Sequence, residues 1–351
     1  MADEAKFGSV RSLRPVVRAA FGDGVRLTGV ERLAGGSKKG AYVARLSDAS
    51  GNASTALVYV WNPAEDYWEG VLPAEVADPA EPFAHASGLE LFEAAANRLT
   101  AVGVRCPRIV FADRSRELYP ADIAVVEHVP GGSLQALMDA DPQAAEPALD
   151  VLAGWLDAMA AYQAPMFGKV AYVDAADAGS EAASAGGTRA AASCPETVLD
   201  RALAEVAEVA QRDARMAAAR DRLEALLHEL AAPIEPRATS ALIHGELGPD
   251  HVLIDAAGQP VLIDIEGLMY FDVEWEHVFL RLRFGERYRH FARPDLDVQR
   301  LRLYQLAQHI DLVAGPLSIA DTGHPERDWF RELAEDHLRR ALAYAPTTVW
   351  A

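Results

Sequence analysis

The segment from Thr239 to Phe284 constrains the chain most, because its short apolar runs begin and end on carboxylates and imidazoles. Ala241-Leu242-Ile243 leads into His244-Gly245-Glu246, and a turn follows through Gly248-Pro249-Asp250. His251 opens the run Val252-Leu253-Ile254, and after Ala256-Ala257-Gly258-Gln259 a further run, Val261-Leu262-Ile263, ends on Asp264-Ile265-Glu266-Gly267. Aliphatic runs of this length separated by a Gly-containing turn read as two strands of a hairpin. A hairpin brings Glu246, His251, Asp264 and Glu266 to one rim. A rim of carboxylates and imidazole beside glycine turns can hold a metal ion and a phosphate. Glu266, two residues beyond Asp264, lies on the same side of an extended chain and adds a second carboxylate. Asp250 is either a further carboxylate of the rim or a turn residue.

Composition excludes several classes. A chain of 351 residues is long enough for one large domain or two lobes. Half of the residues are hydrophobic, yet no apolar run approaches the ~20 residues of a membrane span. The start, Met-Ala-Asp-Glu-Ala-Lys, lacks the basic and apolar regions of a signal peptide. Two cysteines, Cys106 and Cys194, make no disulfide framework and fit a reducing cytoplasm. A net charge of -19 argues against nucleic acid or an anionic membrane as partner and permits a cationic small molecule. Oligomeric state is not legible.

The central segment resembles the aminoglycoside phosphotransferase and choline kinase superfamily. Its members carry a catalytic loop H-G-D-x-x-x-x-N, followed by a hydrophobic strand ending in a metal-binding Asp. His244-Gly245-Glu246 takes the H-G-D place, His251 the Asn place and Asp264 the metal-binding place. Phe271-Asp272-Val273-Glu274-Trp275-Glu276 then aligns with the G-D-P-x-x-D that follows. The resemblance implies Mg²⁺ and ATP or GTP as phosphate donor, with Glu246, His251 and Asp264 as catalytic residues. Asp264, His251 and Glu266 are then the metal candidates. Mg²⁺ prefers oxygen ligands, so Asp264 leads, and the softer His251 serves a phosphate or a secondary metal role. Glu246 is one methylene longer than the Asp it replaces, a shift of about 1.5 Å that matters to reacting geometry. Glu276 is longer in the same way at the position that braces the catalytic loop, so the two changes together form a coordinated lengthening.

The rest of the chain is read in that light. An amphipathic helix within 7 to 25 precedes a strand from Val25 to Leu33, a loop Gly35-Gly36-Ser37-Lys38-Lys39-Gly40 and a return strand from Ala41 to Leu46. Backbone N-H groups of a glycine-rich turn approach a phosphate closely, and Ser37 or Lys38 adds a donor or a charge. The third strand, Thr55 to Trp61, carries Tyr59 where kinase-like proteins keep a phosphate-binding lysine. Either Lys38 or Lys39 supplies that charge, or the nucleotide is held differently. Glu93, on a helix from Ala86 to Val102, stands near the place of the lysine's usual partner. Residues 62 to 82 read as an irregular excursion holding Asp66, Tyr67 and Trp68. The strand from Ile123 running into Pro130-Gly131-Gly132 resembles the hinge between lobes, where backbone groups of Glu127, His128 and Val129 would read a purine edge. Ser133 is a ready N-cap.

Helices are expected at 133 to 140, 145 to 163, within 196 to 230, and at Glu274 to Phe284, Leu296 to Val313 and Arg327 to Ala343. The Ala/Gly/Ser-rich stretch Ala175 to Ser193 is expected to be a flexible loop.

The expectation is an α+β, two-lobe protein-kinase-like fold. A small β-rich nucleotide-binding lobe spans 1–128, and a larger, mainly helical catalytic and substrate-binding lobe spans 129–351. The expected activity is phosphotransfer from ATP or GTP to an alcohol group of an antibiotic or related metabolite. A kinase-like binding module without transfer is the alternative, and a metal hydrolase built on His244, His251 and Asp264 is a remote third.

Overall fold

The computed structural model describes residues 8–33, 38–68, 81–177, 193–322 and 324–345. The chain forms two compact units, Met1–Trp155 with Pro249–Leu268, and Leu156–Gly248 with Met269–Ala351.

The first unit begins with α1 (Val10–Phe21), started by a reciprocal capping box between Ser9 and Ser12 that satisfies N-H groups otherwise orphaned at a helix start. Strands β1 (Arg26–Arg32), β2 (Gly40–Ser47) and β3 (Ala53–Trp61) follow as an antiparallel meander. Helix α2 (Leu89–Ala101) precedes β4 (Ile109–Asp113) and β5 (Asp122–Glu127), giving a five-stranded antiparallel sheet in the order β1-β2-β3-β5-β4. The apolar run of β3 is continuous because both of its faces are covered. Ala56, Val58 and Val60 join Tyr42, Ala44 and the α1 residues Leu13, Val16 and Val17 in one core. Tyr59 and Trp61, on the opposite face, pack against Phe92 of α2. Cross-strand register puts Tyr59 opposite Ala41, so odd-numbered residues of β2 share that face.

Beyond the sheet, Ser133 caps α3 (Leu134–Ala140), its side chain accepting from the Ala136 N-H, and α4 (Glu146–Ala161) carries the boundary between the units. The first unit is completed by the hairpin of β9 (Val252–Ile254) and β10 (Pro260–Leu262), paired antiparallel as the sequence predicts. Asp255 closes its turn, accepting from the N-H groups of Ala257 and Gln259 at 2.8 Å. Arg105 ties this turn to β5 by pairing with Asp255 at 2.6 Å and Glu127 at 2.7 Å. Gly131 is required by close approach: a Cβ there would lie 2.0 Å from the Ile254 carbonyl oxygen.

The second unit holds a small sheet in the order β6-β8-β11-β7, formed by β6 (Gln163–Ala164), β7 (Gly168–Lys169), β8 (Ser240–Ile243) and β11 (Met269–Phe271). Helix α5 (Val170–Asp177) follows β7, and α6 (Cys194–Ala210) starts with a capping box between Ser193 and Glu196. Ala175–Asp177 of the expected flexible loop are therefore helical and Ser193 is a cap, while 178–192 lie outside the described residues. Helices α7 (Ala214–Ala231), α8 (Val273–Phe284), α9 (Val298–Ala320) and α10 (Arg327–Leu342) complete the unit. Helix α9 runs through Gly315-Pro316, where the sequence predicts an end at Val313. Burial of Pro316, Ile319 and Ala320 outweighs the helix-breaking tendency of proline. No helix among the described residues is long and apolar enough to cross a membrane.

Candidate active site

The candidate residues divide between the two units. In the first, the hairpin ends on Asp264, and Ile263 N-H donates to the His251 carbonyl at 2.9 Å, holding the two residues side by side. His251 Nε2 lies 3.9 Å from Asp264 Oδ2. Asp264 has φ 56° and ψ 46°, a left-handed conformation that a residue with a Cβ rarely adopts. Such strain persists where surrounding structure enforces it and marks functional sites more often than loops at large. Its side chain is about a third exposed.

Lys39 comes from the residue just before β2. Its Nζ is 2.6 Å from Glu266 Oε1 and 3.2 Å from Asp264 Oδ1, and it stands 5.1 Å above the centre of the Tyr59 ring. Burial by itself would lower the lysine's pKa, but Glu266 and Asp264 outweigh it and hold the ammonium firmly charged. Burial pushes the Tyr59 hydroxyl up to about 12. Glu266, read from sequence as a second metal carboxylate, is 3% exposed and faces this ammonium. Lys38 meets its neighbours through the backbone as well, its carbonyl accepting from Ser87 Oγ at 2.9 Å.

Gly35, Gly36 and Ser37 lie outside the described residues. At the expected hinge, the Glu127 N-H donates to the Arg108 carbonyl and the Glu127 carboxylate pairs with Arg105, so both groups are committed within the sheet and the hairpin turn. His128 Nδ1 lies 2.9 Å from Thr55 Oγ1, and Val129 is buried. One residue is only half placed by the sequence reading and another escapes it. Lys39 was only one of two open choices, and Glu65, almost wholly buried, accepts from Tyr42 at 2.6 Å and Arg32 at 2.9 Å. Nothing in the spacing around Glu65 signals burial, because it sits in a short 3-10 turn, Pro63–Glu65.

The second unit carries the turn after β8. His244 is buried, Gly245 turns the chain with φ 92°, Glu246 emerges exposed, and Leu247 is buried again. Glu276, on α8, pins this turn: its Oε2 accepts from the Gly245 N-H at 2.8 Å, and the N-H groups of His244 and Leu247 also stabilise its charge. Burial nonetheless raises its pKa above the ordinary carboxylate value. Trp275 Nε1 donates to the Gly245 carbonyl at 3.0 Å, so both backbone groups of the turn glycine are held. Asp272, the residue before α8, accepts from Arg300 at 2.9 Å and Tyr304 at 2.5 Å deep in the unit.

Mg²⁺ is usually held by one or two carboxylates together with substrate phosphates and water, so a full protein cage is not required. Among the described residues no group of three or more His, Cys, Asp or Glu forms such a cage. Asp264, with a partly exposed oxygen-donor side chain at the end of the hairpin, fits the remaining requirement, with His251 as its neighbour. Glu266 fits it less well because its carboxylate is buried against Lys39.

A family model described as "Phosphotransferase enzyme family" matches residues 33–311. No curated protein matches. Among solved structures, the GDP and kanamycin complex of APH(2")-IIia aligns at 18% identity over 93% of this chain and 98% of that one, with a TM-score of 0.57. Choline kinase LicA from Streptococcus pneumoniae aligns at 14% identity over 95% and 99%, with a TM-score of 0.58. Spectinomycin phosphotransferase APH(9)-Ia, in complex with ADP and spectinomycin, aligns at 11% identity over 96% and 98%, with a TM-score of 0.57.

Proposed function

Because the chain belongs to the phosphotransferase enzyme family, within the aminoglycoside phosphotransferase and choline kinase superfamily, we propose that it transfers the terminal phosphate of ATP or GTP to a hydroxyl of a small molecule. The fold is the α+β, two-lobe protein-kinase-like one. In this reading residues 1–128 form the nucleotide-binding lobe, 129–351 the catalytic and acceptor lobe, and the protein works in the cytoplasm. An antibiotic or related metabolite, cationic in keeping with the net charge of -19, is the proposed acceptor class.

One observation carries the reading: a turn pinned by Glu276 that leaves Glu246 as an exposed carboxylate between buried neighbours. Phosphoryl transfer asks little covalent work of a protein, so positioning the attacking hydroxyl is the main demand on such a group. Glu246 orients the acceptor hydroxyl and takes its proton. Asp264 and His251 would hold Mg²⁺, which when bound neutralises charge on the phosphate oxygens. His128, Val129 and the loop Gly35-Gly36-Ser37-Lys38 are the proposed nucleotide contacts. GDP, ADP and AMP in complexes of the related structures support a purine donor.

The test is calorimetric titration of ATP and GTP, with and without Mg²⁺, paired with a transfer assay against hydroxylated antibiotics and amino alcohols. Asp264→Ala is expected to abolish the Mg²⁺-dependent part of nucleotide binding. Glu246→Gln is expected to keep nucleotide binding and lower transfer about 10²- to 10⁴-fold, the range for a general base. Glu246→Asp alone should lose activity that the double change Glu246→Asp with Glu276→Asp regains, if the two acids lengthened together. Nucleotide binding with no transfer to any acceptor would favour a binding module, and no nucleotide binding at all would refute the kinase reading.

A further inference from the structure

Resting on that reading, we infer that Lys39 and Glu266 together replace the lysine of the third strand and the glutamate of the following helix. The ammonium that meets the nucleotide's phosphates then comes from the start of the second strand, and its anchor comes from the turn after the metal carboxylate.

Register makes the relocation possible. Ala41 pairs with Tyr59 across β2 and β3, so Lys39, two residues before Ala41, lies on the Tyr59 face. Adjacent strands are separated by about 4.8 Å, a distance that a four-carbon side chain spans. The ammonium accordingly stands over the Tyr59 ring, above the position whose own side chain cannot carry the charge. The ring supports the cation through its negative face.

The anchor has moved as well. Glu93 of α2 is ion-paired with Arg114 and takes no part. Glu266 takes that place: its Oε1 is 2.6 Å from the ammonium, and its side chain is 2% exposed. It arrives there because the left-handed Asp264 turns the chain into the 3-10 turn Ile265–Gly267, which packs against α2. Lys39 therefore links the second strand to the hairpin end through two carboxylates two residues apart. Asp264, at 3.2 Å, shares the ammonium with whatever other cation it holds. Glu266, closer and shielded from water, keeps the lysine aimed when that sharing changes. Lys38 lies in the bend before β2 with its carbonyl tied to Ser87 Oγ at 2.9 Å, and the ammonium over the Tyr59 ring is that of Lys39.

The experiment compares ATP with adenosine by calorimetry, in the presence of Mg²⁺, for the wild type and four variants. In Lys39→Met/Glu266→Gln both buried charges disappear together, so no uncompensated ion threatens the fold. This variant is expected to lose 10- to 100-fold in ATP affinity, the scale of a charge-assisted contact, with adenosine affinity unchanged. Lys38→Met, in the loop proposed to contact the nucleotide, should lose less ATP affinity than the double variant, and Glu93→Gln should change either affinity less than about threefold. Adding Tyr59→Lys to the double variant restores a third-strand lysine and should recover at least part of the ATP affinity. Undiminished ATP affinity in the double variant, or a loss that falls on Lys38→Met instead, overturns the inference and leaves the kinase reading standing. A wild type that does not distinguish ATP from adenosine overturns both.

Discussion

Buried carboxylates in the two units are satisfied by different kinds of partner. In the first unit Glu266 is neutralised by one flexible side chain, Lys39, which Asp264 shares. In the second, Glu276 is held by backbone N-H groups, and Asp272 by Arg300, Tyr304 and, at 3.3 Å, Arg237. A backbone amide cannot leave its acceptor without local unfolding, and three converging donors cannot leave together. An ammonium on a four-carbon stem can move between acceptors at small cost. The difference assigns rigidity to the turn that presents Glu246 and exchangeability to the hairpin end proposed for phosphate and metal.

The largest expected effect breaks the rigid side. Asp272→Ala strands Arg300, 2% exposed, without its principal partner, and should cost about 3–5 kcal/mol, the usual result of breaking a buried pair from one side. Urea unfolding followed by a second-unit probe such as Trp275 checks it. A loss below about 1 kcal/mol would show that the Asp272 cluster is as adaptable as the Lys39 pair.

Acid sharpens the contrast next. His309 and His337, Nδ1 to Nδ1 at 3.1 Å, are pushed by burial down to about 3 and about 4, and His277 likewise to about 4. All three belong to the second unit. Their folded pKa values lie below the ordinary value of about 6.5, so the neutral forms favour the native state. That contribution is complete above about pH 6.5 and is lost as pH falls toward 4. Each imidazole contributes a slope of up to about 1.4 kcal/mol per pH unit, and His337→Gln should flatten the dependence by one such share. Denaturation midpoints between pH 7 and 4.5 test this, and a pH-independent midpoint would contradict it.

The smallest effect is expected at the helix glutamate. Glu93→Ala breaks only an ion pair with the half-exposed Arg114, worth less than about 1 kcal/mol, so stability should barely move. A large loss would reassign the anchoring role to α2.

Much of this arrangement is legible in residue patterns. Helical periodicity and capping residues place α1, α2, α3, α4, α8 and α10 close to their observed bounds, and the hairpin that ends on Asp264 follows from two apolar runs and one glycine turn. Strands β6, β7 and β11 are two or three residues long, too short for any periodicity to register, and exist because neighbouring strands pair with them. Glu65 looks like one acid among several in an irregular stretch, and only the folded chain buries it against Tyr42 and Arg32.

By itself the sequence determined the family, the candidate carboxylates Glu246 and Asp264, and the absence of a lysine on the third strand. It left open whether Lys38 or Lys39 supplies the missing charge, and it read Glu266 as a metal ligand. Tertiary structure places the Lys39 ammonium against both Glu266 and Asp264. Which face a residue takes depends on the register between β2 and β3, and whether a carboxylate meets solvent or an ammonium depends on what packs across from it. Both are relations between distant parts of the chain, 225 residues apart for Lys39 and Asp264, and no local pattern encodes them.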